Sequence, residues 1–390
     1  GAFSDGKYNI TNDFGGTLYE YIGKKSALEL MEYVDKINLA FGGEGTKLYS
    51  TAGSSLKTRC MQNGLHLLDA SVRHLGTDIN YIVLEHLYDH LKEKIDFHFN
   101  CFIDKVEKLD SGYRIYHEDS YYDGKECVIS AGRSGSKWME NVCQDLGINT
   151  NSNRVDIGVR VELPAGIFAH LTDELYESKI VYRTSKYEDL VRTFCMNPKG
   201  EVVNENTNGI VTVNGHSYED PAKQTNNTNF ALLVSKNFTK PFKTPIEYGK
   251  QIAQLSNMLC DGKILVQTFG DFQRGRRTTE ERLCRNNLIP TLKDAVPGDL
   301  SLVLPHRIMV DIEEMILALD KVTPGIASDE TLLYGVEVKF YSNKVIVNKD
   351  FETSVKNLRA MGDGASVTRG LQQASANGLS VAKSILAKRN

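Results

Sequence analysis

The sequence predicts an α/β fold: a nucleotide-binding domain assembled from both ends of the chain, with a mainly β (α+β) domain inserted between them. Three observations carry this reading. Residues 77–146 run in the order helix, hairpin, strand, glycine turn, helix, which belongs to α/β architectures. From 155 to about 266 alternating apolar runs dominate (VDIGVRVEL, KIVYRT, GIVTVN, FALLVSK), as half-buried strands require. The tail returns to a short strand, the glycine turn GDGAS at 362–366 and a long helix over 371–388. Residues 1–154 and 331–390 are therefore expected to form the split domain, and 155–330 the insertion. A chain of 390 residues is long enough for two or three cores of roughly 100–200 residues each.

Each element has its own signal. SALELMEYVDKINLAF at 26–41 places apolar residues on a helical stripe, with Ser26 as N-cap and Glu29 three residues on. TDINYIVLEHLYDHLKEK at 77–94 repeats the pattern, with Thr77 or Asp78 available as a cap. The period then changes: Ile95, Phe97 and Phe99 alternate with polar residues, and Gly112 opens a second alternating run, which predicts two paired strands. KECVISAG at 125–132 reads as a strand ending in small residues, and SKWMENVCQDL at 136–146 resumes helical spacing. A helix at about 245–260 interrupts the β insertion.

Composition narrows the function classes. Hydrophobic residues at 41% and charged residues at 25% are ordinary for a folded globular chain. A net charge of −4 gives no basic footprint for nucleic acid or acidic lipid, which favours a small-molecule partner. Without an apolar run near the length of a membrane-spanning helix, or the basic and apolar regions of a signal peptide in GAFSDGKYNI, the chain is expected to be cytoplasmic. The seven cysteines are scattered, with no CxxC and no Cys/His pair at zinc spacing, so free thiols and no structural zinc are expected. Nothing in the sequence fixes an oligomeric state.

The segment LRAMGDGASVTRGLQQASANG at 358–378 carries most chemistry. Gly362 and Gly364 let a backbone approach a phosphate, and the following helix offers free N–H groups and a positive dipole end to an anion. Asp363, at the strand's carboxyl end, is placed to accept hydrogen bonds from sugar-like hydroxyls. An ordinary glycine-rich strand-to-helix turn would read the same way. VISAGRSG at 128–135 ends a strand in Ala131 and Gly132 beneath the place where a dinucleotide would cross. A chain that leaves such a core and returns some 230 residues later must insert a domain between.

These motifs resemble those of the glutathione-reductase-type FAD-binding superfamily, GDGASVTRGLQQASANG its C-terminal flavin motif and VISAGRSG its second strand-end motif. IDFHFNCFIDKVEK is similar to the strand pair that contacts adenine, with Ile103 at the contacting position. Further runs, AFSDGKYN at 2–9, SVRHLGTD at 71–78, IGVRVELP at 157–164, RTFCMNPKGEVVN at 192–204, VTVNGHSY at 211–218 and VQTFGDFQRGRRTTEERL at 266–283, resemble the bacterial FAD-dependent (NAD-utilising) dehydrogenases. The resemblance implies an FAD/NAD(P)-binding Rossmann-like domain and FAD held by Ser4, Asp5, Gly6, Lys7, Ile103, Ala131, Gly132, Arg133, Gly362, Asp363, Gly364, Thr368, Arg369, Gly370 and Leu371. It also implies hydride transfer through FAD, with NAD(P)H as donor. A flavin with a structural or sensing role, or a non-catalytic fragment, is the alternative reading. Members of that family carry a GxGxxG βαβ unit ahead of AFSDGK, so the resemblance expects this chain to be the C-terminal portion of a longer flavoprotein, with an incomplete site and weak FAD affinity.

Three catalytic candidates and one arginine cluster remain. By resemblance Lys7 lies near flavin N1 or O2, where its charge favours the anionic reduced flavin; a solvated surface lysine is the plainer account. Cys195, at a strand end, is a thiol able to face the flavin, although no second cysteine lies near enough in sequence for a disulfide mechanism. His216 is the imidazole best suited to general acid–base work, but Asn214 and Gly215 make its surroundings read as a hairpin turn. Arg274, Arg276 and Arg277 fall within four residues and match the geometry of a substrate carboxylate or the 2′-phosphate of NADPH. The same three would also suit a solvated turn paired with Glu280 and Glu281.

Overall fold

The computed structural model describes residues 6–175, 178–207, 209–218, 221–239, 241–242, 244–341 and 343–389. The chain divides into two units, one of residues 1–50, 69–153 and 341–390, the other of residues 51–68 and 154–340. Both expected boundaries move. Residues 51–68 join the second unit because the Leu65–Leu67 strand pairs with Ile180–Arg183, burying Leu56, Cys60, Leu65 and Leu67 in that unit's core. Residues 331–340 join it because Leu332–Lys339 runs as an interior strand between Val155–Pro164 and Leu265–Thr268.

In the first unit, Cys127–Ile129 and Leu358–Ala360 form a parallel pair with Val128 opposite Arg359, joining segments from the two ends of the chain. Lys7–Ile10 pairs antiparallel with Ser71–His74, which also pairs with Leu48–Ser50. A three-stranded meander follows, Lys105–Leu109, Gly112–His117 and Ser120–Gly124. The Lys24–Asn38 and Leu371–Arg389 helices pack on each other, and Gln372 Nε2 donates to the carbonyl of Met31. Leu30, Met31, Val34, Ile129, Leu358, Ala360 and Val381 share one core.

Three local expectations need correction. The first long helix begins at Lys24 behind Gly23, so Ser26 lies inside it and the Ser26–Glu29 capping box is not formed. The second begins at Gly76 with Leu75 at its N-cap, which places Thr77 and Asp78 within the first turn. Residues 95–104 form no strand despite their alternation, and Phe99 and Phe102 are 67% and 81% exposed. Alternation becomes a strand only where a second backbone meets its N–H and C=O groups, and among the described residues none pairs with this run.

The second unit is built on an eight-stranded sheet, antiparallel except where Leu265–Thr268 meets Val296–Pro297. Ile157, Val159, Val161 and Leu163 share a core with Phe230, Leu232, Val234 and the helices Ala165–Leu175 and His306–Asp320. The intervening residues of the same strand are Asp156, Gly158, Arg160 and Glu162, and all are buried.

One buried cluster in this unit ties a strand end, a hairpin and a helix together. Asp311 receives the Thr184 hydroxyl at 2.8 Å and lies 3.6 Å from Lys236 Nζ, and Asp189 pairs with Lys236 and with Arg307 at 2.6 Å. Burial, with Asp189 adding to it, pushes the Asp311 carboxyl up to about 6. Burial acts against Asp189 too, but Arg307 and Lys236 bring it down to about 2. An unfolded aspartate titrates near 3.9. The Asp311 contribution is therefore complete below about pH 4 and lost as pH rises through 6; that of Asp189 is present above about 4 and lost towards 2. The Asp311 contribution by itself falls with a slope of up to about 1.4 kcal/mol per pH unit between about 4 and 6. Asp311→Asn is expected to flatten that decline, which urea midpoints of both proteins across the range would reveal.

Candidate functional site

The site in the first unit is built where its parallel pair ends. Met361 N donates to Ile129 O at 2.9 Å and Gly364 N to Ala131 O at 2.8 Å, so the backbone of 361–364 stays bound to the end of the neighbouring strand. Gly364 has no room for a side chain, because a Cβ there would stand 2.4 Å from the Ala131 carbonyl oxygen. Gly362 is held at φ +74°, its N–H taken by Asn377 Oδ1 at 3.0 Å, and nothing lies within 4 Å of where its Cβ would be. One glycine is required for packing; the other leaves an open backbone face.

Asp363 follows directly from that bend. Its Oδ1 accepts the Thr368 hydroxyl at 3.1 Å, which fixes the carboxylate at the strand's end. Thr368 is buried, pairs with Gly16 in an antiparallel bridge, and leads into the Leu371–Arg389 helix. Gly15 and Gly16 lie tight against this loop: Arg369 N donates to Gly15 O at 2.9 Å, and a Cβ on Gly16 would meet Gln373 Oε1 at 2.5 Å. The first N–H groups of the helix have no acceptor within it, so they and the dipole favour negative charge there.

The other expected flavin residues are distributed as follows. Gly6, at φ +62°, accepts Leu75 N, and a Cβ would stand 2.8 Å from Gly76 O. Lys7 sits opposite His74 in a strand that packs on the Leu371–Arg389 helix. The Cys127–Ile129 strand ends short of the expected Ala131 and Gly132, which follow it with the Ala131 carbonyl accepting Gly364 N, and Arg133 opens a 3-10 turn over Arg133–Gly135. Ile103 is half-buried against the core that holds Ile129 and Leu358. Arg369 is held by Asn153 Oδ1 at 3.3 Å and stacks 4.0 Å from the Tyr341 ring. Gly370 and Leu371 begin the helix. Ser4 and Asp5 lie outside the described residues.

The donor and acceptor set fits FAD. Asp363 would offer an acceptor to sugar-like hydroxyls, Gly362 an open backbone, and the helix start a place for negative charge. The cradle is too close-packed at Gly364 and Gly16 for other residue types.

In the second unit, the candidates of the sequence reading are dispersed. Cys195 is exposed, while its carbonyl accepts Arg160 Nη1 at 3.3 Å. Burial opposes the Lys339 charge, yet Glu337 at 2.9 Å, with Cys195 adding to it, holds that ammonium above its ordinary range. His216 corrects the hairpin expectation: Asn214, Gly215 and His216 lie inside the strand Ile210–His216, and the chain reverses between Thr207 and Ile210. Its exposed ring meets Tyr218 edge-on at 4.8 Å.

Of Arg274, Arg276 and Arg277, only the first two share a site. Arg274 bonds Asp329 at 2.7 Å and Arg276 bonds Asp271 at 2.5 Å, so their carboxylate partners are not Glu280 and Glu281. Both line a pocket of about 190 Å³, whereas Arg277 reaches Pro297 O at 3.5 Å and does not line it.

The sequence reading missed Arg160. It is fully buried, sends Nε and Nη2 to the two oxygens of fully buried Glu337 at 2.9 and 3.1 Å, and reaches Asn229 and Asn214. Gly215 seals the network, since a Cβ there would stand 2.3 Å from Arg160 Nη1. The signal was present in VDIGVRVELP, where charged residues occupy alternate positions of an otherwise apolar strand.

Among the described residues no group of three or more His, Cys, Asp or Glu side chains is placed to hold a metal ion, and no helix is long and apolar enough to cross a membrane.

Comparison with known proteins adds three kinds of likeness. Residues 155–340 match a family described as "FAD-dependent protein, C-terminal domain-like". Over 345 residues the chain is 26% identical to an uncharacterized protein of Clostridium beijerinckii, covering 82% of this chain and 62% of that one. The chain thus spans under two thirds of that relative's length. Among solved structures it is similar to halogenase PltM in complex with phloroglucinol and FAD, at TM-score 0.37 and 9% identity, over 94% of this chain and 59% of that one. Tetracycline destructase Tet(51) gives a TM-score of 0.35 at 9% identity, covering 100% and 72%. Klebsiella pneumoniae HpxO complexed with FAD and uric acid gives 0.33 at 12% identity, covering 99% and 72%. At these scores the likeness fixes neither fold nor site.

Proposed function

We propose that this protein is an FAD-dependent oxidoreductase that acts on a small molecule, with a reduced nicotinamide as hydride donor. The observation that carries the reading is the junction of two strand ends from opposite parts of the chain, Ala131 and Met361, around Gly362, Asp363 and Gly364. The family match over residues 155–340 supports it. Bound flavin supplies hydride transfer between a donor and an acceptor. The chain's own part is to bind and orient: Asp363 accepts from sugar-like hydroxyls, Thr368 keeps its carboxylate in place, and the start of the Leu371–Arg389 helix favours negative charge. Lys7, on a strand packed against that helix, adds a positive charge to the same region. The second unit carries the selection of substrate.

The test is FAD titration of the full-length gene product, followed by visible absorbance. Asp363→Ala is expected to weaken FAD at least tenfold, about 1.4 kcal/mol, while Arg276→Ala leaves FAD affinity unchanged. Bleaching of bound flavin by NADH or NADPH checks the donor. Undiminished FAD affinity in the Asp363 variant would mean the cofactor is held elsewhere.

A further inference from the structure

We propose that the pocket lined by Arg274, Arg276, Arg282 and Arg285 in the second unit is a binding site for a phosphate dianion, either free or carried on a phosphate ester. This inference stands on residues 268–330 alone and does not depend on the flavin reading.

The pocket is built on a buried anchor. The Phe269–Gln273 helix starts at Thr268, and Asp271 in its first turn is only 3% exposed. Asp271 accepts Arg276 Nε at 2.5 Å through Oδ1 and the Thr278 hydroxyl at 2.8 Å through Oδ2. Arg276 N also donates to Asp271 O at 3.0 Å, which closes the turn. Arg274 folds back on Gly270 O at 2.8 Å and Asp329 at 2.7 Å. The next helix, Glu280–Cys284, is capped by the Thr279 hydroxyl, and from it and its end come Arg282, bonded to Arg277 O at 2.7 Å, and Arg285, bonded to Glu281 O at 3.1 Å.

Each of these bonds uses only part of a guanidinium. Among the described residues, no hydrogen bond is made by either Nη atom of Arg276 or Arg285, or by Nε or Nη2 of Arg282. The carboxylates nearby are already committed: Asp271 to Arg276 and Thr278, Asp329 to Arg274, and Glu330 to Asn287 at 2.6 Å. The lining holds four guanidiniums and three carboxylates around about 190 Å³, and the Glu281 carboxylate stands near Arg282 and Arg285 as well. A carboxylate ligand is satisfied by one guanidinium fork. Donors left on three separate guanidiniums suit a tetrahedral dianion, which can accept from several directions at once.

Calorimetric titration of the full chain at low chloride and at about pH 8, where both inorganic phosphate and a phosphate monoester are largely dianionic, tests the site. The probes are sodium phosphate, adenosine 2′-monophosphate and sodium formate. Saturable phosphate binding is expected, at least tenfold tighter than formate. Arg285→Gln and Arg282→Gln are each expected to weaken it tenfold or more, and Arg277→Gln, outside the pocket, to leave it unchanged. Circular dichroism and melting temperature report whether each variant folds. Arg285 is exposed and among the described residues its guanidinium bonds only a backbone carbonyl, so its variant keeps the test open if the Arg282 variant does not fold. Tenfold tighter binding of the nucleotide than of phosphate would identify a phosphate ester as the source; equal affinities would identify the phosphate group alone. No saturable phosphate binding, or equal binding by the wild type and both pocket variants, overturns the proposal.

Discussion

Replacing Arg160 by methionine is expected to destabilise the second unit by about 3 kcal/mol or more, the range found when one partner of a buried ion pair is removed. Arg160 and Glu337 are both fully buried, and the guanidinium meets both carboxylate oxygens. Burial would raise the Glu337 carboxyl, but Arg160, and after it Lys339, hold it below its ordinary value, so Glu337 stays ionised and needs its partners. Lys339 at 2.9 Å remains after the substitution, yet the oxygens of Asn229, Asn214 and Cys195 lose donors at the same time. For a unit of this size each kcal/mol moves the melting temperature by roughly 2–4 °C, so calorimetry should show a drop of roughly 6–12 °C. Arg160→Met combined with Glu337→Leu and Lys339→Met is expected to recover more than half of the loss, because no member of the charge network is then left behind unpaired. A single variant that melts with the wild type would mean that the network does not hold this sheet together.

Gly364→Val is expected to abolish measurable FAD binding in the full-length protein, a loss of a hundredfold or more, or about 2.7 kcal/mol. A Cβ at this position would stand 2.4 Å from the Ala131 carbonyl oxygen, the same atom that accepts Gly364 N, and neither belongs to a flexible side chain. The two strand ends must separate, and Asp363 and the start of the Leu371–Arg389 helix move with them. Overpacking of this kind costs about 1–3 kcal/mol in stability as well. Gly362→Asn is the internal comparison. Unlike Gly364, Gly362 is held at positive φ, but a side chain there would enter open space, and asparagine tolerates the left-handed region. It is expected to cost about 1 kcal/mol and to keep the fold, so melting curves and FAD titration of the two variants separate packing from backbone conformation.

Periodicity and turn chemistry made much of this protein legible before any coordinates. The alternation of VDIGVRVEL reports a strand with two unlike faces, and GDGAS between a short strand and a helical stripe reports a bend that only glycine suits. Both are local properties, set by how each residue's side chain and backbone can be arranged within a few neighbours. The same logic fails for 95–104, where the alternation is as clear but no strand partner runs beside it among the described residues. It fails also for Ser26, since Gly23 starts the helix earlier.

Arg160 shows where local information ends. Its position on a strand is written in the chain, but Glu337 lies 177 residues away and Asn229 lies 69, and only the sheet order brings them together. The arginines of QRGRR look equivalent in sequence. Asp271 and Asp329 take two of them while Arg277 turns to a backbone carbonyl, because helix and loop placement determines which carboxylate each guanidinium can reach. A strand declares its faces through side-chain period, whereas a buried charge is satisfied by whatever partner the fold carries to within about 3 Å of it, and that partner has no fixed sequence distance.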